Sequence, residues 1–212
     1  MAMFREHVAA GAVVSGAAVT GVVFYSLLVD PLLLAILFGL IIVGSFLPDV
    51  DSDSGLPFYL VYGTASVIAT GYVALYVLTH PPGEEWYWLV GIPAGALFFF
   101  WFILGGLIKK FTVHRGIFHS IPATLIASLG VLLAARHFGL SEDVCLLMGA
   151  GMGLGYLTHL VLDELHSAVD LEGIPFIPKS SLGTALKVFS NSSYVNMATY
   201  VILTSLLYLA LA

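Results

Sequence analysis

Residues 145–166 read CLLMGAGMGLGYLTHLVLDELH and combine the two features that decide the fold. The stretch is long and apolar enough to cross a bilayer, which takes about 20 residues of helix. Its C-terminal part nevertheless carries His159, Asp163 and His166. Ionisable side chains are costly near lipid and are therefore candidates for function. We expect a membrane-spanning helix that presents a polar site at one end.

The composition extends this interpretation to the whole molecule. Of 212 residues, 59% are hydrophobic and 9% are charged, and the mean hydropathy is +1.02. Soluble domains carry about 25% charged residues, so lipid is the expected solvent for most of this chain. A net charge of −6 without a basic stripe argues against nucleic-acid binding. The single cysteine, Cys145, excludes a disulfide framework.

Apolar runs predict an all-α fold, a polytopic transmembrane helical bundle of about seven spans in a single domain, 1–212. The runs are 8–29, 31–47, 57–79, 87–108, 119–136, 145–166 and 194–212. The first is expected to remain as an uncleaved helix, and Asp30-Pro31 predicts a tight turn after it. Segment 167–193 is expected on the cytoplasmic side, with 182–189 as either a short interfacial helix or an ordered loop.

Basic residues predict the orientation of this bundle. If seven spans alternate in direction, six basic residues fall on one side and only Arg136 falls on the other. Those six are Arg5, Lys109, Lys110, Arg115, Lys179 and Lys187. Because basic loops remain in the cytoplasm, we expect the N-terminus inside and the C-terminus outside.

Four distant segments place polar side chains on the predicted cytoplasmic side. They contribute His7; Asp49, Asp51 and Asp53; His114, Arg115 and His119; and His159, Asp163 and His166. Singly, each has an ordinary explanation, such as a buried His–Asp hydrogen bond, a solvated turn or a juxtamembrane charge. Together they predict a metal site, because imidazoles and carboxylates are ligands of divalent ions. The four-residue spacing of His159 and Asp163 also places both on one helical face.

Each of these residues has an expected role. Asp53 (or Asp51) is the expected general base, and Arg115 is expected to bind a phosphate bidentately. Zinc is the expected ion, with manganese or magnesium as alternatives and one or two ions bound. The expected ligands are His7, Asp49, Asp51, His114, His119, His159, Asp163 and His166.

Alternate glycines precede the ligands of the 145–166 helix. Gly149 with Gly153, and Gly151 with Gly155, form two small-x-x-x-small pairs, which let neighbouring helices approach closely. This packing would bring His159 near ligands from other segments. Small-residue faces of this kind also permit a homodimer.

Several motifs together resemble a known family. They are the N-terminal His7, PDVDSD (48–53), HRGIFHS (114–120) and HLVLDEL (159–165), and KSSLGTALKVFS (179–190) also looks like a family feature. They resemble the membrane-bound metal-dependent hydrolases, also described as LexA-binding, inner-membrane-associated hydrolases (YdjM-like). The resemblance covers nearly the whole chain, and it implies a metal-dependent hydrolase in the inner membrane of a prokaryote.

A more distant similarity is to zinc-dependent phospholipases C and P1-type nucleases. It implies metal ligands at His7, Asp49 or Asp51, His114 or His119, and His159 with Asp163. This chain has one H-x-x-x-D motif where that superfamily typically has more. One or two ions are therefore expected rather than three.

The sequence favours hydrolysis of a phosphoester, with a phospholipid as the expected substrate because headgroups lie at the depth of the site. The alternatives are a ceramidase-like lipid amide hydrolase and a non-catalytic metal-binding scaffold or metal transporter. A transporter is expected to bind its ion near the bilayer midplane, whereas these ligands lie at the ends of spans. An H-E-x-x-H metalloprotease motif is absent.

Overall fold

The computed structural model describes residues 3–51, 56–83, 85–104, 106, 117–168 and 186–212. Within these ranges the secondary structure is helical, apart from turns and one isolated bridge, which confirms the all-α class. The α-helices are α1 Phe4–Phe24, α2 Pro31–Gly44, α3 Leu56–Thr79, α4 Tyr87–Phe98, α5 Ile121–His137, α6 Glu142–Ala168 and α7 Ser193–Leu211. A 3-10 helix, Leu47–Asp51, follows α2, and α4 continues as a π-helical turn, Phe99–Leu104.

The chain divides into two compact units. One unit comprises Met1–Pro48 with Arg115–Ala212, and the other comprises Asp49–His114. In the first unit α6 packs against α1, α2 and α5, while α7 packs against α5. In the second unit α3 packs against α4 and the π-helical turn. The single domain over 1–212 stays a prediction.

Four of the described helices are long and apolar enough to cross a bilayer. They are α1, the Tyr62–Thr79 part of α3, α6 and α7. The other apolar helices, α2, Tyr87–Ile103 and α5, are shorter, at 10–17 residues. Seven spans is thus a high figure for the described residues. The predicted run 31–47 ends in the first residue of a 3-10 helix, and the run 119–136 begins with two residues of the turn before α5. The orientation, N-terminus in and C-terminus out, stays a prediction.

The predicted turn between α1 and α2 forms at Asp30. Its carboxylate accepts hydrogen bonds from the backbone N–H groups of Leu32 and Leu33, at 2.8 and 3.0 Å. Pro31 occupies the first helical position, where no backbone donor is needed. The two helices then pack against each other.

The predicted glycine pairs lie at helix contacts of α6. A Cβ at Gly155 would collide with the backbone carbonyl of Ile41, and one at Gly151 would collide with Leu37, so these two glycines face α2. On the α2 side, a Cβ at Gly44 would lie 2.6 Å from the Met152 carbonyl oxygen of α6. The Gly151/Gly155 pair is therefore confirmed as a close contact between helices.

The other glycine pair faces α5. A Cβ at Gly149 would lie 2.9 Å from the Ser128 carbonyl oxygen, and one at Gly153 would lie 3.1 Å from the Ser128 hydroxyl. That hydroxyl donates a hydrogen bond to the Gly149 carbonyl at 2.5 Å. Helix α6 is thus held between α2 and α5, and 56% of its most apolar window is buried, against 6% for α7.

The predicted cytoplasmic segment 167–193 is described only at its two ends. Residues 186–192, which we call the strap, are non-helical. The backbone carbonyl of Lys187 accepts a hydrogen bond from the Ile121 N–H at 3.1 Å, and Lys187 forms an isolated parallel bridge with Ser120. The described part of 182–189 is therefore an ordered loop, and 182–185 lies outside the described residues.

Candidate metal centre

Helix α6 presents His159 and Asp163 on one face, as their spacing predicted. The His159 Nε2 atom lies 3.9 Å from the Asp163 Oδ2 atom. Both side chains are 0% exposed. A carboxylate and an imidazole removed from solvent require compensating partners, so the surroundings of this pair decide what it can do.

A carbonyl group at the end of α2 orients His159. The His159 Nδ1 atom lies 2.9 Å from the backbone oxygen of Ser45. A carbonyl oxygen only accepts hydrogen bonds, so Nδ1 carries the proton in the neutral ring and Nε2 keeps its lone pair. This arrangement is typical of metal-binding histidines, whose second nitrogen donates to a carbonyl or carboxylate.

His119 approaches from the turn that precedes α5. Its Nε2 atom lies 3.4 Å from His159 Nε2 and 3.8 Å from Asp163 Oδ2. The Tyr156 hydroxyl donates a hydrogen bond to the Phe118 carbonyl at 2.6 Å and so holds this turn against α6. The turn is completed by Ser120, whose hydroxyl accepts from the backbone N–H of residue 123 and caps α5.

The three atoms of this group have the spacing of ligands that share one ion. Their separations are 3.4, 3.8 and 3.9 Å. A point equidistant from three atoms so arranged lies about 2.1 Å from each, and Zn–N and Zn–O distances are about 2.0–2.2 Å. His119, His159 and Asp163 could therefore hold a metal ion together.

His7 of α1 closes the group from another side. Its ring stacks on that of His159, with centroids 3.7 Å apart and planes 15° apart. Its Nε2 atom lies 3.5 Å from Asp163 Oδ1, and the side chain is 1% exposed. Among the described residues, neither ring nitrogen of His7 has a hydrogen-bond partner. An unsatisfied buried nitrogen costs about 1–3 kcal/mol, and a cation bound at the nitrogen that carries the lone pair would remove the cost for that nitrogen.

The comparison with family models covers the whole chain. The model described as "YdjM inner membrane protein" matches residues 1–212. The chain belongs to the YdjM inner membrane protein family. No curated protein and no solved structure matches it. Membership agrees with the four apolar helices and confirms the inner membrane of a prokaryote as the location.

Other predicted site residues of this YdjM-family chain fall in the second unit or outside the described residues. Asp49 and Asp51 lie in the 3-10 helix that begins at Leu47, and Asp49 is partly exposed. Both residues belong to the second unit, Asp49–His114. Their roles stay predictions, as do those of three residues outside the described ranges: Asp53, His114 and Arg115.

The structure does not bring His166 into the group. Its Nδ1 atom lies 2.9 Å from the Leu162 carbonyl oxygen, and its Nε2 atom lies 3.6 Å from Glu6 Oε2. In the described residues His166 therefore pairs with a carboxylate at the start of α1, beside the cluster. Its role as a metal ligand stays a prediction.

Two supporting residues were missed by the sequence analysis. Tyr156 precedes His159 by three residues and lies on the same face of α6, so a buried polar aromatic at that spacing was an available signal. Ser45 acts through its backbone carbonyl, which any residue type supplies. No sequence signal could have identified it.

Proposed function

We propose that this YdjM-family protein is a membrane-embedded, metal-dependent hydrolase of phosphoesters with its site at the cytoplasmic face. The observation that carries the proposal is the buried convergence of His119, His159 and Asp163, three ligand atoms separated by 3.4–3.9 Å. They come from two separate parts of the chain, and His7 joins them from a third. Buried, strongly interacting ionisable groups of this kind cluster at functional sites.

The donor set fits a divalent cation, and zinc best. Imidazole nitrogens with one carboxylate are typical of zinc sites, whereas magnesium prefers oxygen ligands almost exclusively and manganese favours them. The buried His7 imidazole, whose Nε2 atom lies 3.5 Å from Asp163 Oδ1, adds a further candidate ligand beside this position. One ion would be held by His119, His159 and Asp163. A second ion would need carboxylates such as Asp49 and Asp51, our predicted further ligands.

The chain's own residues position and desolvate the reacting groups. The Ser45 carbonyl keeps His159 in one tautomer, and the stacked His7 ring limits the rotation of the His159 ring. A bound divalent cation lowers the pKa of coordinated water towards about 7 and stabilises developing negative charge. Asp53 or Asp51 would accept the proton, and Arg115 would bind the phosphate, as the sequence predicts.

A phospholipid is the substrate that this location favours. His159 and Asp163 lie within the last three turns of a 27-residue membrane-spanning helix, at Glu142–Ala168. Such a helix is long enough to place its terminal turns at headgroup depth, since about 20 residues cross the hydrocarbon core. A lipid phosphoester therefore meets the site without leaving the bilayer.

Metal content and hydrolysis of the purified protein test this proposal. We expect the detergent-purified protein to contain zinc and to hydrolyse a phospholipid or a soluble phosphodiester. His159→Ala and Asp163→Ala should lose the metal and the activity while still inserting into membranes. His137→Ala is the matched control, because His137 is exposed at the far end of α5. Unchanged turnover in His159→Ala would refute the assignment.

A non-catalytic metal-binding scaffold is the second candidate, and the burial of the cluster favours it. Structural zinc sites are closed, whereas catalytic sites keep an open position, and His7, His119, His159 and Asp163 are at most 1% exposed. Stoichiometric zinc without turnover of phosphoesters would support this candidate.

Turnover of a lipid amide would instead indicate the ceramidase-like alternative. A transport assay in vesicles tests the remaining alternative, a metal transporter.

A further inference from the structure

We infer that a groove along α6 binds one acyl chain of a membrane phospholipid. The groove has a volume of about 470 Å³, and all of its lining residues belong to the first unit. In the described part of the chain, its lining shares no residue with the candidate metal centre. Binding of a lipid chain here requires neither a metal nor hydrolysis, so it can be tested independently of the proposed function.

Helix α6 forms the longest side of the groove. Four of its lining positions follow the three- and four-residue spacing of one helical face, namely Leu147, Ala150, Leu154 and Leu157. Ala150 is exposed, and Leu154 and Leu157 are 40% and 39% exposed. Gly151 and Gly153 also line the groove and leave it unobstructed by side chains. This part of α6 is thus open to the bilayer.

The other sides of the groove come from α1, α2 and α5. Helices α1 and α2 contribute only apolar residues, which are Ala18, Val22, Leu37 and Ile41. Helix α5 contributes two hydroxyl groups, and both donate to backbone carbonyls: Thr124 to Ser120 at 3.2 Å, and Ser128 to Gly149 at 2.5 Å. Because these protons are already used, the lining offers an occupant mainly hydrocarbon contacts.

The dimensions of the groove select a single hydrocarbon chain. From Leu147 to Leu157 the groove follows α6 for about 15 Å, at 1.5 Å per residue. Its volume over this length gives a width of about 6 Å, whereas a helix with its side chains is about 10–12 Å wide. Carbon atoms in contact lie about 3.5–4.0 Å apart. The groove therefore accommodates one methylene chain but not a helix.

The bilayer supplies such a chain at the depth of the groove. About 20 residues cross the hydrocarbon core, and Leu147–Leu157 lies within the central 20 residues of the 27-residue α6. Water is absent from this core, and an empty groove would forfeit the dispersion contacts of its lining. Lipid tails are as apolar as leucine, so close packing rather than removal from water holds the chain in the groove.

Photolabelling distinguishes a chain bound in the groove from the lipids that surround any membrane protein. The full chain is reconstituted in vesicles of phosphatidylethanolamine and phosphatidylglycerol with a trace of phosphatidylethanolamine that carries a diazirine in one acyl chain. Labelled residues are mapped by peptide mass spectrometry. We expect Leu154 and Leu157 to be labelled about tenfold more than control positions, which corresponds to about 1.4 kcal/mol of preferential binding.

Two exposed positions outside the groove serve as controls. Val161 lies one turn beyond Leu157 on α6 and is 45% exposed, and Ile202 lies at the middle of α7 and is 49% exposed. Neither residue lines the groove. If lipids contact the protein only in proportion to exposure, these positions are labelled as strongly as Leu154 and Leu157, and that result would overturn the inference.

A groove-filling substitution provides the second test. Ala150→Phe places a ring in the groove, so labelling of Leu154 and Leu157 should fall to the level of Val161. Ala17→Phe is the matched control, because Ala17 is exposed on α1 and lies outside the lining, and it should leave the labelling unchanged. Undiminished labelling in Ala150→Phe would contradict the proposed site. A protein dimer that dissociates in Ala150→Phe would show instead that a second copy occupies the groove.

Thermal unfolding in detergent supplies a measurement without a label. A ligand that binds only the folded state raises Tm, so added phosphatidylethanolamine should stabilise the delipidated wild type and Ala17→Phe. Ala150→Phe should not respond. Each variant is compared with itself, so a change in its intrinsic stability does not obscure the result. An equal rise of Tm in Ala150→Phe would refute binding in the groove.

Discussion

Gly44→Ala tests how backbone contact between helices builds the site. Gly44 ends α2 and directly precedes Ser45, whose carbonyl contacts His159. A Cβ at Gly44 would lie 2.6 Å from the Met152 carbonyl oxygen, whereas ordinary contacts begin at 3.4 Å. The end of α2 must therefore retreat by the difference, about 0.8 Å. Along the direction of the hydrogen bond, that retreat lengthens the 2.9 Å distance from His159 Nδ1 to the Ser45 oxygen to as much as about 3.7 Å, beyond hydrogen-bonding distance.

We expect two measurable consequences of Gly44→Ala. Loss of a partner behind a metal ligand lowers metal affinity about 10- to 100-fold, and overpacking costs about 1–3 kcal/mol of stability. Zinc affinity is measured by competition with a chromophoric chelator, and Tm by thermal unfolding in detergent. Gly39→Ala is the matched control on the same helix, since nothing lies within 4 Å of its added Cβ. Wild-type Tm and zinc affinity in Gly44→Ala would refute the reasoning.

Two further predictions concern the packing of α6 and its neighbours. Tyr156→Phe keeps the buried ring and removes the 2.6 Å bond to the Phe118 carbonyl, so we expect a loss of about 1 kcal/mol and severalfold weaker zinc binding through a less constrained His119. Unchanged zinc affinity would mean that this bond does not position the turn. Cys145 packs against α5 and is 0% exposed, so a maleimide should label it only after denaturation. Native-state labelling as fast as that of Phe138→Cys, a control in the exposed loop after α5, would contradict this packing.

Much of the fold could be predicted because lipid imposes simple rules on sequence. Long apolar runs give the helices, Asp30 gives the turn between α1 and α2, and the glycine pairs give the close contacts of α6. The predicted number of spans, about seven, is higher than the four described helices that are long and apolar enough to cross a bilayer. Hydropathy measures whether side chains are compatible with lipid, but it does not show where the backbone leaves the α-helical hydrogen-bond pattern. The apolar run 87–108 therefore gave no indication of the π-helical turn at Phe99–Leu104.

The sequence was informative about the candidate site where helical periodicity applies. His159 and Asp163 are one helical turn apart and point to the same place. The sequence left open whether His114 or His119 joins them, and the structure brings His119 to this group. His166 continues the same stripe, but seven residues at 1.5 Å each place it about 10 Å farther along the axis. It therefore meets Glu6.

The position of the cluster at a helix end also follows from backbone chemistry. The last carbonyl groups of a helix lack partners within the helix, and an unsatisfied carbonyl near lipid costs several kcal/mol. Ser45 is the C-cap of α2, and its carbonyl meets the Nδ1 proton of His159. One bond thus satisfies the carbonyl and leaves the Nε2 lone pair of His159 directed towards His119 and Asp163. Because the bond uses only main-chain atoms of residue 45, Ser45→Ala preserves the acceptor, whereas displacement of α2 through Gly44 removes it.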